Sequence, residues 1–247
     1  MKYAIFTIIL FFFSCNSTDK KLTAQKIIDK SIEISGADLV SNSIITFDFR
    51  DNNYKAIRKN GKFTIDRILF ADSISIRDII TNDGFQRLVN EKKVEVADSM
   101  ATRFANSVNS VHYFSVLPFG LNDEAVKKKL LPEVTIKGKA YYKIQVSFAE
   151  ENGGQDFDDV FIYWINKETF FVDYLAYEFH VNEGGVRFRE LKEQCVRNGI
   201  RFVDYNNFKS ENDTIKVADL DELYEKDQLI KVSEIVLQNI KVAILTN

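Results

Sequence analysis

The sequence has very little cysteine, histidine and proline, and each shortage excludes a class of protein or a kind of site. Two cysteines in 247 residues cannot form a disulfide framework within the chain. Two histidines leave few candidates for a catalytic base. The sequence also contains no Gly-x-Ser-x-Gly, His-Glu-x-x-His or glycine-rich phosphate loop. We therefore expect a protein that is not an enzyme and that holds no cofactor or metal.

The sequence also lacks an excess of charge of either sign. It carries 33 basic and 36 acidic residues, which are interspersed, so the net charge is only −3. A nucleic-acid-binding protein would show a basic patch, so this balance argues against that class of partner. What the chain does have is 21 phenylalanines and 10 tyrosines alongside only 2 prolines, a mixture that favours strands with a few helices.

The longest hydrophobic run lies at the N-terminus, where residues 4–13 are apolar except for Thr7. This run is far shorter than the roughly 20 residues that a membrane-spanning helix needs. It follows Lys2 and precedes Ser14-Cys15, an order typical of a lipoprotein signal. We predict a signal peptide over residues 1–14, acylation of Cys15 and a polar tether over residues 15–22. More than one acyl chain on Cys15 would anchor the protein stably in a membrane.

Two points about this anchor stay open at the sequence level. Phe12-Phe13-Ser14 departs from the usual lipoprotein motif, because the leucine of this chain, Leu10, lies further from the cysteine than in that motif. Cys15 can therefore also be an ordinary signal-peptide cysteine, with cleavage elsewhere. Residues 16–21 contain a single acid and do not make a strong acidic export tag. The expected localisation is therefore the outer membrane, with the protein facing the periplasm.

Residues 23–247 are predicted to form one α+β domain that begins with an amphipathic helix. Thr23 can cap this helix, small or apolar residues recur at spacings of three and four over residues 24–35, and Gly36 marks its end. The pattern then changes to period two, and Asn60-Gly61 predicts a tight hairpin. Consecutive strands joined by such turns are antiparallel.

Two helices are predicted between two groups of strands. One is capped by Asp98 and ends near Leu117-Pro118, and a short basic helix covers residues 123–131. In the second group, residues 160–165 and 170–176 are apolar on both faces. Strands of this kind lie between two layers, of which one can be a helix and the other a cavity or a ligand. A single strand is predicted over residues 233–245.

One hairpin resembles a known family. Its sequence is Phe161-Ile162-Tyr163-Trp164-Ile165-Asn166-Lys167-Glu168-Thr169, followed by an aromatic strand. It resembles the corresponding hairpin of LolA/LolB-like lipoprotein-localisation proteins. The mature chain is also similar to Bacteroidota lipoproteins of unknown function that are grouped with that family. The passages that carry this similarity are Phe47-Asp48-Phe49-Arg50, Thr81-Asn82-Asp83-Gly84-Phe85, Ser107-Val108-Asn109-Ser110-Val111-His112-Tyr113-Phe114, Leu117-Pro118-Phe119-Gly120-Leu121-Asn122 and Gly184-Gly185-Val186-Arg187-Phe188-Arg189-Glu190.

The resemblance implies a strongly curved antiparallel sheet that forms an incomplete β-barrel, with an N-terminal helix and inserted helices on its concave face. In the carriers this hollow accepts acyl chains. Because the present chain carries a predicted lipid anchor, a fixed binding lipoprotein fits better than a shuttle. The expected partners are the membrane, through the N-terminal lipid, an acyl chain, a lipid or a lipoprotein tail as ligand, and an envelope protein. The alternative is a structural or interaction lipoprotein of the envelope with a filled core, and an enzyme is the less favoured third reading.

The candidate ligand-binding residues are aromatic and aliphatic side chains that can line a cradle. They are Phe47, Phe49, Phe63, Phe85, Ile162, Trp164, Tyr174 and Phe188. Arg187 and Arg189 share one face of a strand and can meet a phosphate or carboxylate head group. The alternatives are that the apolar residues form ordinary core and that the arginines pair with Glu178 or Asp204.

The remaining polar candidates are expected to have structural roles. His112 and His180 are expected to be packed or surface histidines. Asp156, Asp158 and Asp159 have a calcium-like spacing but no closing glutamate, so they are expected to form a solvated loop. Lys139 and Lys143 alternate with residues of the apolar face, and we expect both to point outward.

Overall fold

The structure, a computed structural model, describes residues 22–151, 159–179, 184–212 and 214–246. Within these residues three α-helices are present: α1 (Ala24–Ile34), α2 (Asp98–Ser115) and α3 (Leu220–Glu225). Two short 3-10 helices cover Ala37–Asn42 and Val217–Asp219. The strands are β1 (Ser43–Phe49), β2 (Asn52–Lys59), β3 (Lys62–Ala71), β4 (Ile74–Thr81), β5 (Gly84–Val89), β6 (Lys92–Val94), β7 (Val126–Leu130), β8 (Val134–Ile136), β9 (Lys139–Phe148), β10 (Phe161–Asn166), β11 (Val172–Phe179), β12 (Gly185–Arg197), β13 (Ile200–Lys209), β14 (Ile230–Ile235) and β15 (Leu237–Ile244).

The strands form two antiparallel sheets. Sheet A has the order β15-β1-β2-β3-β4-β5-β6, and sheet B has the order β14-β13-β12-β11-β10-β9-β7, with β8 also paired to β9. The hairpin between β2 and β3 arises where the sequence predicts it. Asn60 and Gly61 both have positive φ between β2 and β3, and this register sets Lys55 opposite Asp66.

The two sheets are continuous at one edge and open at the other. β14 pairs with β13 in sheet B, and after the single residue Val236 the chain continues as β15, which pairs with β1 in sheet A. At this junction the Leu237 amide donates a hydrogen bond to the Asp204 carboxylate over 2.9 Å. The opposite edges, β6 and β7, do not pair with each other. The strands therefore form a curved sheet that is not closed into a barrel, which confirms the predicted fold class.

α1 covers the part of the concave face that belongs to sheet B. Its buried stripe is Ala24, Ile27, Ile28, Ser31 and Ile32, as the three-and-four spacing predicts. The Thr23 hydroxyl accepts a hydrogen bond from the Lys26 amide and so caps the helix.

Gly36 ends α1 at a close contact between backbones. It adopts φ of +63°, and a Cβ placed there would lie 1.9 Å from the Gly199 carbonyl oxygen. Only glycine therefore allows the end of α1 to sit this close to the turn between β12 and β13.

α2 crosses the concave face of sheet A, where it packs on β3, β4 and β5. Its C-terminal end also reaches sheet B, because the Tyr113 and Tyr163 hydroxyls lie 2.9 Å apart. The helix begins at Asp98, but Ala97 occupies the cap position and supplies no side-chain hydrogen bond. α2 thus bridges the space between the two sheets.

The outer face of sheet B carries a second layer that the sequence analysis did not predict. α3 and Val217–Asp219 pack there against Ile162 and Trp164 of β10. All six residues of β10 are buried, since α1 lies on one side of sheet B and α3 on the other. The expectation that this strand lies between two layers is confirmed, and on the outer side the covering layer is a helix.

Two predicted elements are corrected by the structure. Residues 123–131 do not form a basic helix, because Val126–Leu130 is the edge strand β7, paired with β9. Lysines blunt an exposed edge against further pairing, which gives the lysine run a role in a strand. Residues 233–245 do not form one strand, because the chain changes sheets at Val236.

Candidate functional site

The eight apolar ligand-binding candidates lie on two different surfaces. Phe47, Phe49, Phe63 and Phe85 share the concave face of sheet A, as the register of β1 to β5 shows. Ile162, Trp164, Tyr174 and Phe188 lie on the outer face of sheet B, beneath α3. The sheet separates the two groups, so the eight side chains do not line one cradle.

The group on the outer face of sheet B is enclosed by the protein itself. Ile162, Trp164 and Phe188 have no exposed surface. Tyr224 of α3 stacks on Phe188 with ring centroids 4.8 Å apart. Because the protein itself encloses these side chains, they belong to its core. Only the residues of the concave face remain candidates for ligand binding.

The concave face of sheet A is packed unevenly. Phe47 is only 2% exposed, stacks on Tyr54 at 5.2 Å and meets the His112 ring edge-on at 5.7 Å. Phe49, Phe63 and Phe85 are only half-buried. The core below His112 is therefore filled, whereas the aromatic rings around it keep accessible surface.

His112 is a structural residue of this core. Its Nε2 lies 2.9 Å from the Asp66 carbonyl oxygen, and because a carbonyl only accepts, Nε2 carries the proton. Burial, reinforced by the charge of Arg58, lowers the pKa of His112 to about 4. The Asp66 carboxylate itself pairs with Arg77 at 2.6 Å. His112 thus has neither the orienting carboxylate nor the pKa of a general base at neutral pH.

A charged network holds the N-terminal half of α2 on sheet A. The fully buried Asp78 carboxylate accepts hydrogen bonds from Arg67 at 2.7 Å and from Arg87 at 2.6 Å. Burial alone would raise the pKa of Asp78, but the bonds from both arginines outweigh it and hold the pKa below its usual value. Arg67 also donates to Ser107 at 2.9 Å, and the Arg87 guanidinium lies 3.5 Å from the Phe104 ring centre. The contacts between this part of α2 and the sheet are therefore largely polar.

Arg58 is a residue of the concave face that the sequence analysis missed. It alternates with the buried Tyr54 and Ala56 along β2, so its side chain points to the same side. Its Cζ lies 5.3 Å from the ring centre of Phe119, and its Nη1 is enclosed without a hydrogen-bond partner. Burial lowers the pKa of Arg58 to about 10. The sequence of β2, a run of basic and apolar residues, does not indicate that Arg58 will lack a partner in the folded protein.

Arg189 is buried on the sheet B side of the same space, and Arg187 is half-buried beside it. The Arg189 guanidinium lies 3.9 Å from the Phe114 ring centre and donates to the Tyr177 hydroxyl at 3.0 Å. Across the part of the chain that the structure describes, neither arginine pairs with Glu178 or Asp204. Both guanidinium groups therefore lie against aromatic rings rather than in the ion pairs considered from the sequence.

A family model described as a family of unknown function, DUF6503, matches residues 2–236. The chain belongs to the DUF6503 family. No curated protein matches this DUF6503 member.

Several solved structures are similar to this DUF6503 chain at low sequence identity. A LolA superfamily protein from Nitrosomonas europaea is 11% identical, with a TM-score of 0.47 over 92% of this chain and 94% of the other. A DUF1329 family protein from Desulfovibrio piger is 10% identical, with a TM-score of 0.45 over 91% and 95%. An outer membrane lipoprotein-sorting protein domain from Vibrio parahaemolyticus is 8% identical, with a TM-score of 0.43 over 82% and 99%.

A polar groove of about 550 Å³ crosses the outer face of sheet A in this DUF6503 chain. Its main acid, Asp48, accepts hydrogen bonds from Asn239 at 2.7 Å and Asn53 at 2.6 Å, which lower its pKa. Asp66 and Arg77 form an ion pair in the same groove. Arg77 thus neutralises Asp66 through Oδ2, while the second carboxylate oxygen of Asp66, Oδ1, is buried without a hydrogen-bond partner among the described residues.

Several candidates fall outside the described residues of the DUF6503 chain, namely residues 1–21 with Cys15, Asp156, Asp158 and His180. Cys195 is described and is a free, half-buried thiol. Lys143 was expected to point outward into solvent but is buried, because α3 covers it and Asp221 pairs with it at 2.9 Å. The described residues contain no group of acids, histidines and cysteines that could hold a metal ion, and no helix among them is long and apolar enough to cross a membrane.

Proposed function

We propose that this protein is a lipid-anchored, non-catalytic lipoprotein of the cell envelope that binds an apolar or amphiphilic ligand, such as an acyl chain, a lipid or a lipoprotein tail. The binding surface is the concave face of sheet A beneath α2. Of the candidates predicted from the sequence, Phe49, Phe63 and Phe85 contact the ligand in this proposal. Arg187 and Arg189 contact it on the side of sheet B.

The observation that carries this proposal is the loose packing of α2. Only Val108, His112 and Ser115 are buried among the 18 residues of this helix, whereas α1 buries five residues in a helix of 11. A helix that covers a sheet usually buries a continuous apolar stripe. α2 instead reaches sheet A through the Arg67–Asp78–Arg87 network, and apolar surface stays accessible on both sides of that contact.

The accessible surface has the chemistry of an acyl-chain site. Phe85 of sheet A and Phe104 of α2 face each other with ring centroids 6.4 Å apart, and both are half-buried. Each CH₂ group of a ligand buried against such rings contributes roughly 0.8 kcal/mol. A chain of ordinary length therefore gains enough free energy to offset the loss of motion on binding.

The anchor belongs to the same proposal. Cys15 follows a short hydrophobic run and precedes a polar segment that joins it to α1. A protein fixed to the membrane at this point cannot carry its ligand across the periplasm, so it acts as a stationary receptor. We place it in the outer membrane, facing the periplasm, on the sequence of residues 16–21.

The binding role predicts amphiphile that co-purifies with the protein. The full chain is purified from membranes in dodecyl maltoside and analysed by native mass spectrometry and lipid extraction. Phe63→Ala should lower the bound fraction several-fold, because it removes a half-buried ring from the concave face. Phe70→Ala is the matched control, since Phe70 lies on the same strand with 65% of its surface exposed and points away from this face.

Protein that carries no amphiphile, and takes none up when lipid is added, would reject the binding role. That result would favour the second candidate, an interaction lipoprotein with a filled core. One observation supports this alternative. Phe70 and Ile74, 65% and 43% exposed, form an apolar tip on the hairpin between β3 and β4, and cross-linking from this tip would then recover an envelope protein.

The anchor predicts that Cys15→Ser releases the protein from the membrane fraction and abolishes incorporation of labelled palmitate. Cys195→Ser, the other cysteine of the chain, should change neither. A Cys15→Ser protein that remains membrane-bound without label, with its leader removed, would contradict anchoring through this residue. Sucrose-gradient separation of the two membranes tests the outer-membrane placement.

A further inference from the structure

Arg58, a half-buried cation, has neither a counter-charge nor a hydrogen-bond partner in the part of the chain that the structure describes. Arg189 also lacks a counter-charge, but it donates a hydrogen bond to the Tyr177 hydroxyl at 3.0 Å. Arg67 and Arg87 share Asp78, and Lys143 pairs with Asp221. Arg201 is bonded to Gln194 at 2.6 Å and lies 3.9 Å from Asp173.

Among the residues that the structure describes, none accepts a hydrogen bond from the Arg58 side chain or forms an ion pair with it. Its Nη1 is enclosed, and burial is the only influence that shifts its pKa, to about 10. Arg58 is therefore still charged at neutral pH, in a place where an uncompensated charge is costly.

The surroundings of Arg58 are apolar and only partly closed. Phe63 lies directly opposite it on β3, and Phe119 lies beneath its guanidinium group. Both rings are half-buried, as are Ile80 and Val111 of the same cluster. A cation beside accessible apolar surface matches a molecule that has an anionic head and a hydrocarbon tail.

We propose that Arg58 binds the carboxylate or phosphate head of an amphiphile whose hydrocarbon chain lies against Phe63 and Phe119. This inference rests on the proposed ligand-binding function and adds the chemistry of the head group. The planar guanidinium group has several N–H donors and matches the paired oxygens of a carboxylate or phosphate. An anion placed there would supply both the hydrogen bonds and the counter-charge that the protein lacks at this point.

The test compares two ligands that differ only in the head group. Palmitate and hexadecanol are offered at equal concentration to the delipidated full chain in dodecyl maltoside, and bound ligand is counted by native mass spectrometry. The wild-type protein should prefer palmitate by about tenfold, the effect of one charge-assisted hydrogen bond. Arg58→Gln should abolish this preference by weakening palmitate binding and leaving hexadecanol binding unchanged. Arg103→Gln, a charge removed from the exposed surface of α2, should keep it.

The outcomes separate failure of the head-group site from failure of the binding function. Equal binding of palmitate and hexadecanol by the wild-type protein overturns the role of Arg58 but leaves the binding function intact. Binding of neither ligand overturns both. Displacement of palmitate by millimolar inorganic phosphate or acetate would show a site for free anions and would overturn the proposal of an amphiphile.

Melting temperatures test whether a variant loses the preference for palmitate only because it is less well folded. Replacing an arginine that has a structural role lowers the melting temperature of the protein. Replacing an enclosed cation that has no partner does not. Arg58→Met should therefore melt at the same temperature as the delipidated wild-type protein or higher, while losing the preference for palmitate. Arg58→Lys keeps the charge and should keep part of the preference. A lower melting temperature for Arg58→Met, or equal loss of preference in Arg58→Lys and Arg58→Gln, would overturn the proposal.

Discussion

Single residues inside the half-barrel show two ways of placing a polar group away from water. Asp78 is charged and shared by two arginines, whereas His112 is neutral and held by a backbone carbonyl. The histidine ring packs edge-on against Phe47 and Tyr54, where an imidazolium would have no anionic partner. Its protonation therefore competes directly with folding.

The pH dependence of stability should reflect His112. Its pKa is about 4 in the folded protein against an ordinary value of 6.5, so the unfolded state binds the proton first as the pH falls. The stability that this residue contributes is complete above pH 6.5 and is lost between pH 6.5 and about 4, by up to about 3 kcal/mol. Urea denaturation at several pH values measures the slope.

His112→Gln provides the comparison, because glutamine can still donate a hydrogen bond to the Asp66 carbonyl but does not titrate. The wild-type stability should fall more steeply than that of the variant across this pH window. Parallel curves for the two proteins would show that His112 is not buried in its neutral form.

Some helices and strands can be predicted from the local sequence, and others cannot. α1 and the hairpin at Asn60-Gly61 follow from short-range signals, a capped apolar stripe and a turn dipeptide, and both are confirmed. The helix that the sequence predicts over β7 is wrong, because its lysines resemble the polar end of a helix. What makes it a strand is its pairing with β9, and that contact lies outside any local window.

The sequence pattern does not predict α3, because this helix is only six residues long and lies in a charged segment. One signal could have found it, since its layer buries Val217, Leu220 and Tyr224 at intervals of three and four. The doubly apolar strand β10 also required a cover on its outer face. Joining those two observations would have placed a short helix there.

α3 should depend on its buried ion pair with sheet B. Lys143 donates to both oxygens of Asp221 at 2.9 and 3.1 Å, and both side chains are buried. Asp221→Asn leaves the lysine charge without a partner and should lower the free energy of unfolding by about 3–5 kcal/mol. Urea titration followed by the fluorescence of Trp164, the single tryptophan, measures this, because the indole lies in the cluster under α3.

The double variant Lys143→Met/Asp221→Leu removes both charges and keeps the volume nearly constant. It should recover most of the stability, since a buried pair replaced by apolar side chains is often neutral. A double variant as unstable as Asp221→Asn alone would show that α3 depends on some other feature of these side chains.

For the whole molecule, period-two patterns predicted the strands and their alternation but not which face is concave. That is why Phe49, Phe63 and Phe85 fell into the predicted site together with Trp164 and Phe188, which belong to the opposite surface. Arg58 could not be found from the sequence at all. Its isolation from every described carboxylate is a property of the assembled sheets, and no single segment carries it.

The pairing of β1 with β15 has a consequence for how the chain acquires its structure. These strands are about 200 residues apart, and β15 also makes the junction between the sheets. Contacts of such separation form slowly, because a long loop must close before they contribute. Sheet A therefore keeps β1 as a bare edge until residues 237–244 have been synthesised. Until then the chain exposes an unpaired strand edge with which another chain can pair, so the incomplete protein is prone to aggregate.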